Sequence, residues 1–408
     1  MTRRIKKVAV LGSGVMGSGI ACHFANIGVE VLLLDIVPRE LTEAEKKQGK
    51  TLEDKDVRNR LVNESLTAAL KSKPSPIYKQ AFADRITTGN MDDNMKDIDS
   101  CDWVIEVVVE RLDIKKKVFE NVEKHRKKGT LVSTNTSGIP IESMLEGRSD
   151  DFKKHFCGTH FFNPPRYLKL FEIIPSSQTD PEVLDFLGDY AGRFLGKTTV
   201  HAKDTPAFIA NRIGTFSIMH LFNNVQKYDL NISEIDKLTG PVIGRAKSAT
   251  FRTADVVGLD TLVHVANGIR ENTKDEANDV FKIPNYLNKM LENNWLGSKT
   301  KQGFSKKVMK DGKKTFPTLD FDTMEYTEDP KPKFSVFEKT KAKELKDTIK
   351  ILLKDKSKVG DFYRDSFFAL FQYASNRIPE ISDDIYKIDD GLNAGFGWKL
   401  GPFETWDA

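Results

Sequence analysis

Two residues stand out because each places a side chain that can carry or share a proton inside an apolar run. His160 lies in the mostly apolar stretch Phe156–Phe161, and Glu172 lies in the next such stretch, Leu170–Ile174. A lone histidine in a strand is usually a satisfied core residue, but a carboxylate in a strand core needs a partner. If the two strands are neighbours, Glu172 would fix the tautomer of His160 and raise its basicity. Such a pair could take a proton from an alcohol.

A second chemical signal is the GxGxxG pattern of Gly12, Gly14 and Gly17. It follows a predicted strand at Val8–Leu11 and opens a predicted helix at Val15–Ile27, which is the context that a dinucleotide-binding turn needs. Gly12 permits the tight turn, Gly14 lets the backbone approach a pyrophosphate, and Gly17 lets the helix pack close to the strand. The helix N-terminus offers free N–H groups to that pyrophosphate. A glycine-rich turn that binds nothing is the alternative.

The residues around this turn indicate which dinucleotide it would bind. Asp35 ends the predicted strand Val29–Asp35, 21 residues after Gly14. A carboxylate there accepts hydrogen bonds from a ribose diol and repels a 2′-phosphate, which favours NAD over NADP. Arg39 nearby slightly weakens that preference. Met16, inside the glycine pattern, belongs to the predicted cofactor-binding set.

Charged residues also follow the next predicted strand along the chain. Glu110 ends the predicted strand Trp103–Val109, and Lys115 lies on the predicted helix Asp113–Arg126. Open α/β sheets bind ligands at the carboxyl ends of their strands, so both residues could contact a cofactor. An exposed ion pair is the alternative interpretation.

A polar segment, Thr134–Ser137, follows the predicted strand Thr130–Ser133. It again stands at the carboxyl end of a strand, where ligands bind. Its short hydroxyl and amide side chains can reach both a nicotinamide and a substrate. The alternative is a loop that caps the helix after Pro140.

The elements that must hold these residues alternate regularly over the first half of the chain. Short strands rich in Val and Ile alternate with helical patterns, which favours a parallel sheet covered on both faces. The charged segment 38–76 is too long for an ordinary loop. It is predicted to be an excursion with a helical stretch near Asp56–Lys71, or else a solvated helical hairpin with no role. This order predicts an α/β Rossmann-type NAD-binding domain followed by a mostly α-helical C-terminal region.

After Asp204 the strand signal fades and helical patterns dominate. The predicted helices are Ala207–Gln226, Ser233–Leu238, Ala254–Ile269 and Pro284–Glu292. The predicted domains are a nucleotide-binding domain over 1–203, a helical domain over 204–306, a linker over 307–345 and a truncated second helical copy over 346–408.

The second copy is predicted from an internal repeat. Ile235-Asp236 followed by Phe251–Asp255 matches Ile388-Asp389 followed by Phe403–Asp407, with intervals that agree within one residue. The second copy stops directly after its motif, whereas the first continues for about fifty residues. We therefore expect this chain to be a fragment of a longer protein.

Composition narrows the class of protein. The 408 residues are 39% hydrophobic and 30% charged with a net charge of +4, which suits a globular protein and gives no reason to expect nucleic acid. The apolar runs are too short to span a bilayer, and the basic N-terminus lacks a signal-peptide core, so a cytoplasmic protein is expected. Cys22, Cys101 and Cys157 form no metal-type spacing. They are expected to be buried, and no metal site is predicted.

With these residues assembled, the chain resembles the 3-hydroxyacyl-CoA dehydrogenases over nearly all of its length. The matching stretches are Val10–Gly19, Glu106–Lys115, Ser133–Ser137, Gly158–Pro164, Lys169–Ile174, Lys203–Arg212 and Trp295–Lys306. The duplicated helical region and the segment Gly244–Arg252 are most similar to the bifunctional branch. In that branch the dehydrogenase precedes an enoyl-CoA hydratase domain, of which this chain has no segment.

The resemblance implies a role for each matching residue. His160 would be the general base in oxidation and the general acid in reduction, with Glu172 orienting it. Ser137 and Asn211 would hold the substrate oxygens, and Asn163 would lie at the substrate. The residues implied to contact NAD, besides the glycine-rich turn, are Asp35, Glu110, Lys115, Asn135 and Lys299.

The implied activity is that of an NAD-dependent (S)-3-hydroxyacyl-CoA dehydrogenase of fatty acid β-oxidation, acting on acyl-CoA thioesters. The excursion matches the family's helical arm near the CoA moiety, with Lys71 and Lys73 as candidates for its phosphates. The alternatives are a dehydrogenase of a free hydroxy or sugar acid and a non-catalytic NAD-binding protein, although the latter needs no acid–base pair. A monomer with an internal pseudo-dimer and a homodimer are both compatible with the resemblance.

Overall fold

The computed structural model describes residues 3–310 and 312–408, which divide into two compact units. The first unit ends at Thr205, and the second unit is Pro206–Ala408. The finer domain bounds stated above, with a linker over 307–345, stay predictions.

The first unit is built around one eight-stranded sheet in the order β3-β2-β1-β4-β5-β6-β7-β8. The strands are β1 (Lys7–Leu11), β2 (Glu30–Asp35), β3 (Ile86–Asn90), β4 (Trp103–Glu106), β5 (Leu131–Thr134), β6 (Phe156–Phe161), β7 (Leu170–Pro175) and β8 (Thr198–His201). Sequence analysis did not mark β3 and β8, which are the two edge strands. Edge strands bury less apolar surface, so their patterns are weaker.

The sheet is not wholly parallel as the sequence suggested, because β7 runs antiparallel to β6. The connection over 162–169 is short, and a parallel crossover needs a dozen residues or more. The strands from β3 to β6 are parallel, so the carboxyl ends of β1, β2, β4, β5 and β6 meet at one edge.

Helices surround the sheet of the first unit. They are α1 (Val15–Asn26), α2 (Glu43–Lys47), α3 (Lys55–Arg58), α4 (Arg60–Lys71), α5 (Met91–Asn94), α6 (Leu112–His125), α7 (Asp150–Lys154) and α8 (Pro181–Arg193). The core includes the fully buried Trp103, whose ring meets Phe24 edge to face at 5.5 Å. Cys22, Cys101 and Cys157 are buried and free, as expected.

The excursion over 38–76 carries α2, α3 and α4. It is more than a solvated hairpin, because α4 packs against α1 and its Val62 is buried in the core. Thr42 and Glu45 form a capping box at the start of α2. The excursion is therefore anchored to the nucleotide-binding fold.

The second unit is mostly helical. Its helices are α9 (Ala210–Asn224), α10 (Ile232–Leu238), α11 (Phe251–Val257), α12 (Leu259–Asn272), α13 (Asn285–Glu292), α14 (Val336–Thr340), α15 (Leu345–Lys354), α16 (Lys358–Asn376), α17 (Ile385–Phe396) and α18 (Pro402–Asp407). Two short strand pairs also lie here, β9 (Val308–Lys310) with β10 (Lys313–Thr315) and β11 (Thr318–Leu319) with β12 (Tyr326–Thr327). No helix of the described ranges is both long and apolar enough to cross a membrane.

Two predicted helices of this unit have different bounds in the structure. The first begins at Ala210 instead of Ala207, because Ala207 and Phe208 have φ values of 63° and 52°, outside the helical region. The predicted helix Ala254–Ile269 is interrupted at Gly258, whose φ of 100° ends α11 before α12 begins.

The repeated motif has the same structural role in both copies. The Asp236 carboxylate accepts hydrogen bonds from the backbone N–H groups of Phe251 (2.7 Å) and Arg252 (3.1 Å) at the start of α11. The Asp389 carboxylate accepts equivalent bonds from Phe403 (2.9 Å) and Glu404 (3.1 Å) in α18. Each copy thus satisfies the otherwise unpaired N–H groups of its own helix.

Candidate active site

His160 and Glu172 face each other across the antiparallel pair β6–β7. They are direct register partners, and the imidazole Nδ1 lies 2.7 Å from the Glu172 Oε2. Direct partners project to the same face of a sheet, which confirms that neighbouring strands bring the two together. Glu172 is fully buried and His160 is 5% exposed. In the tautomer whose Nδ1–H donates this hydrogen bond to the carboxylate, Nε2 is the ring nitrogen that can accept a proton.

The loop over 134–138 joins this pair to the neighbouring strand end. The Asn135 side-chain oxygen accepts a hydrogen bond of 2.9 Å from the Phe161 N–H, which directly follows His160. The Ser137 hydroxyl has no hydrogen-bond partner within the part of the chain that the structure describes. It is half-buried, and its contact with a substrate oxygen stays a prediction.

Glu110 fixes the same loop from the side of β4. Its carboxylate accepts hydrogen bonds from the Thr136 hydroxyl and from the N–H groups of Ser137 (3.0 Å) and Gly138 (3.1 Å). Burial raises the pKa of Glu110, but the Lys115 ammonium and these hydrogen bonds outweigh burial, and the net effect lowers the pKa. Glu110 is therefore held as an anion.

The position of Glu110 and the exposure of Lys115 both differ from what the sequence predicted. The strand β4 ends at Glu106, so Glu110 lies in the turn before α6 and does not end the strand. The exposed ion pair is also wrong, because Lys115 is 1% exposed. Its ammonium contacts Glu106 at 2.8 Å and Glu110 at 3.3 Å. A contact of Lys115 with NAD stays a prediction.

Sequence analysis did not mark Glu106, which carries the same signal as Glu172. It is a carboxylate within an apolar strand, and it is fully buried. The sequence predicted a strand that continues to Val109, so Glu110 was the polar residue expected at its end. Burial raises the pKa of Glu106 against the opposing effect of Lys115.

The glycine-rich turn has the shape that a dinucleotide needs. Gly12 has a φ of +104°, and a Cβ there would lie 2.5 Å from the Val107 carbonyl oxygen. A Cβ on Gly17 would overlap the Gly12 carbonyl oxygen. A Cβ on Gly14 would meet nothing within 4 Å, and no side chain caps α1 at this residue. The first N–H groups of α1 are thus open to a pyrophosphate.

Asp35 lies beside this turn at the end of β2. Its Oδ2 accepts hydrogen bonds from the Ser13 N–H (2.7 Å) and hydroxyl, and its Oδ1 accepts one from the Ile36 N–H (2.7 Å). The carboxylate is half-buried and held where a ribose diol would donate to it. Ser13, which sequence analysis passed over, fixes that position. Met16 packs against the core below the turn.

The remaining predicted residues are divided between the two units. Asn163 is exposed after β6, and Lys71 and Lys73 are exposed at the end of α4. Asn211 and Lys299 belong to the second unit, where the Lys299 ammonium contacts both Asp260 oxygens at 2.5 and 2.6 Å. Their roles toward NAD or substrate stay predictions. Within the described ranges, no group of three or more potential ligand side chains could hold a metal ion.

The comparisons with known proteins agree with this geometry. Residues 7–205 match the 3-hydroxyacyl-CoA dehydrogenase NAD-binding domain, and residues 208–307 match the C-terminal domain of the same enzymes. A Bacillus subtilis protein named probable 3-hydroxyacyl-CoA dehydrogenase is 50% identical over 100% of this chain and 51% of its own length. The chain belongs to the 3-hydroxyacyl-CoA dehydrogenase family.

This member of the 3-hydroxyacyl-CoA dehydrogenase family is also similar to two further proteins. A Rickettsia felis protein named as a fatty acid oxidation complex trifunctional enzyme is 31% identical over 99% of this chain and 53% of its own length. The crystal structure of FadB2 from M. tuberculosis has a TM-score of 0.59 at 27% identity, covering 74% of this chain and 99% of that one. The chain thus spans about half the length of the B. subtilis and R. felis relatives.

Proposed function

We propose that this chain oxidises (S)-3-hydroxyacyl-CoA to 3-ketoacyl-CoA with NAD and carries out the reverse reduction. The observation that carries the proposal is the buried His160–Glu172 pair. It lies next to the loop that holds Ser137, at the sheet edge where the glycine-rich turn and Asp35 are also found. A proton acceptor and an NAD-type turn at one edge are the two parts that alcohol oxidation requires.

In the proposed reaction, His160 and Glu172 of the first unit have different roles. The His160 Nε2 takes the proton of the 3-hydroxyl group, and the Glu172 carboxylate stabilises the resulting imidazolium through Nδ1. The glycine-rich turn and Asp35 would hold NAD, which would supply the hydride acceptor for C3. In the reverse direction the imidazolium returns its proton to the substrate oxygen. General acid–base catalysis of this kind contributes roughly 10²- to 10⁴-fold to the rate.

We propose that substrate binding uses polar groups of both units. The Ser137 hydroxyl would donate to a substrate oxygen, and Asn163 and Asn211 would supply further hydrogen bonds. Lys71 and Lys73 would attract the phosphates of CoA, because both ammonium groups are exposed on the excursion. The half-buried Asp35 would accept hydrogen bonds from the NAD ribose, with Asn135 and Lys299 as further contacts.

We also propose an enoyl-CoA hydratase domain in the full-length protein. Support comes from the R. felis relative named as a trifunctional enzyme, of which this chain covers 53%. A monomer with an internal pseudo-dimer and a homodimer stay open, and the cytoplasm stays the compartment that the sequence predicts.

The test is the loss of NADH absorbance when purified protein is mixed with acetoacetyl-CoA and NADH. The controls are free acetoacetate in place of the thioester and NADPH in place of NADH. Oxidation of NADH with the thioester alone supports the reaction, the cofactor and the substrate class together. Equal rates with free acetoacetate would instead favour a hydroxy-acid dehydrogenase, and NADH binding without turnover would favour a non-catalytic protein.

A further inference from the structure

Glu106 is a fully buried carboxylate that the proposed chemistry does not use. Its two oxygens accept hydrogen bonds from the Val108 N–H (2.7 Å), the Lys115 ammonium (2.8 and 3.0 Å) and the Thr134 hydroxyl (2.5 Å). Burying a charge is costly unless it is paired and hydrogen-bonded. These four hydrogen bonds meet that condition, so Glu106 is held firmly at the end of β4.

The contacts of Lys115 continue from Glu106 towards the candidate active site. The Lys115 ammonium also lies 3.3 Å from Glu110, and Glu110 accepts hydrogen bonds from the loop that carries Ser137. Asn135 in the same loop accepts the Phe161 N–H, which directly follows His160. Polar contacts therefore run from Glu106 through Lys115 and Glu110 to the backbone of Ser137, and the same loop contacts the residue after His160 through Asn135.

Glu106 also controls the position of the turn below the glycine-rich turn. Its carboxylate binds the Val108 N–H, and the preceding Val107 N–H donates to Leu11 at 2.8 Å. The Val107 carbonyl oxygen is the atom that leaves no space for a Cβ on Gly12. A shift of the turn after Glu106 would therefore move the surface against which the NAD-type turn packs.

We propose that Glu106 is a positioning residue of this active site. By holding Lys115 and the turn after β4, it sets where Glu110, the Ser137 loop and the glycine-rich turn lie. Because Glu106 is fully buried, it acts through these residues and contacts neither substrate nor cofactor. The expected effect on kcat rests on the proposed function. The expected effect on the Kd for NADH requires only that the chain binds NADH.

A matched control lies at the other end of the same helix. The Asp151 carboxylate accepts a hydrogen bond of 2.7 Å from Arg126, the residue that follows α6, and Arg126 is 4% exposed in its side chain. Glu106→Gln and Asp151→Asn each remove one carboxylate charge from an ion pair at an end of α6. Only the first pair is joined by hydrogen bonds to the Ser137 loop.

The experiment compares wild type, Glu106→Gln and Asp151→Asn in the 408-residue chain. Calorimetric titration gives the Kd for NADH, steady-state kinetics with acetoacetyl-CoA give kcat and KM, and thermal unfolding gives Tm. We expect Glu106→Gln to raise the Kd for NADH and to lower kcat, together by about ten- to a hundredfold, since misplacement by about 1 Å can cost that much. Asp151→Asn should lower Tm but leave kcat and Kd within about twofold of wild type.

Two outcomes would overturn the inference. One is a folded Glu106→Gln variant with wild-type Kd and kcat, and the other is an equal loss in both variants. If Glu106→Gln does not fold, Thr134→Val removes one donor to Glu106 at nearly the same volume, and it should shift Kd and kcat in the same direction by a smaller factor. Inactivity of wild type would refute the proposed function, whereas a raised Kd for NADH would still support the cofactor part.

Discussion

Two buried carboxylates lie on different strands of one sheet and have different partners. Glu172 lies within β7 and Glu106 ends β4, and both are fully buried. Glu172 meets the imidazole of His160, with its Oε2 2.7 Å from Nδ1. Glu106 meets the ammonium of Lys115 at 2.8 Å. We propose that the first pair transfers a proton, whereas the second holds its surroundings in place.

The largest effect expected from this comparison concerns the proton acceptor. His160→Gln can still donate a hydrogen bond to Glu172 but cannot take a proton from the substrate. We expect kcat to fall by roughly 10²- to 10⁴-fold, measured as NADH oxidation with acetoacetyl-CoA. The stability should change little because Glu172 keeps a donor. A variant that retained wild-type kcat would remove His160 from the mechanism.

The second largest effect is a loss of stability, expected when Lys115, the partner of Glu106, is replaced. Lys115→Met leaves the buried Glu106 and the half-buried Glu110 without their shared cation, which should destabilise the protein by about 3–5 kcal/mol. Urea unfolding followed by far-UV circular dichroism would measure the change. The double variant Glu106→Gln with Lys115→Met should recover part of the lost stability. Unchanged stability in the single variant would show that Lys115 does not hold these carboxylates.

A smaller effect is expected when the orienting carboxylate loses its charge. Glu172→Gln can still accept the Nδ1 proton of His160, but it no longer stabilises the imidazolium. We expect kcat to fall by about a hundredfold while the Kd for NADH stays near wild type. A large rise in that Kd would mean that Glu172 supports the fold of the cofactor site rather than the proton transfer.

The smallest effect concerns the pH dependence of stability. The folded protein lowers the pKa of Glu110 below the ordinary value of 4.5, so the stabilisation is fully present above pH 4.5. It is lost as the pH falls through the lowered pKa. The difference in free energy of unfolding between wild type and Glu110→Gln should therefore be constant from pH 7 to about pH 5 and should shrink as the pH falls from about 4.5 towards about 3. A difference that stayed constant from about pH 4.5 to about pH 3 would contradict the assignment.

The comparison also shows what could be predicted from the sequence. The His160–Glu172 pair was predictable because both polar residues interrupt clear apolar runs, and a buried carboxylate requires a partner. The glycine-rich turn and Asp35 were predictable because dinucleotide binding restricts the backbone at fixed spacings. The alternation of strands and helices was sufficient for the fold class.

The direction of β7, the start of α9 and the role proposed for Glu106 could not be predicted, because no local sequence pattern specifies them. The reversal of β7 follows from the length of one connection, and the late start of α9 follows from two residues with positive φ. Glu106 carried the same signal as Glu172, but the end of its strand was misplaced by three residues, Val109 against Glu106. A boundary error of that size was enough to hide the residue that we propose positions the site.

The antiparallel turn from β6 to β7 has a consequence for how the site forms. His160 and Glu172 are separated by 12 residues in the chain, and Glu106 and Lys115 by nine. Closing short loops costs little chain entropy, and contacts between near neighbours in sequence form early during folding. Each pair is therefore assembled by one stretch of chain, without waiting for distant strands to join. One hairpin, β6–β7, therefore carries both the proposed base and the carboxylate proposed to orient it.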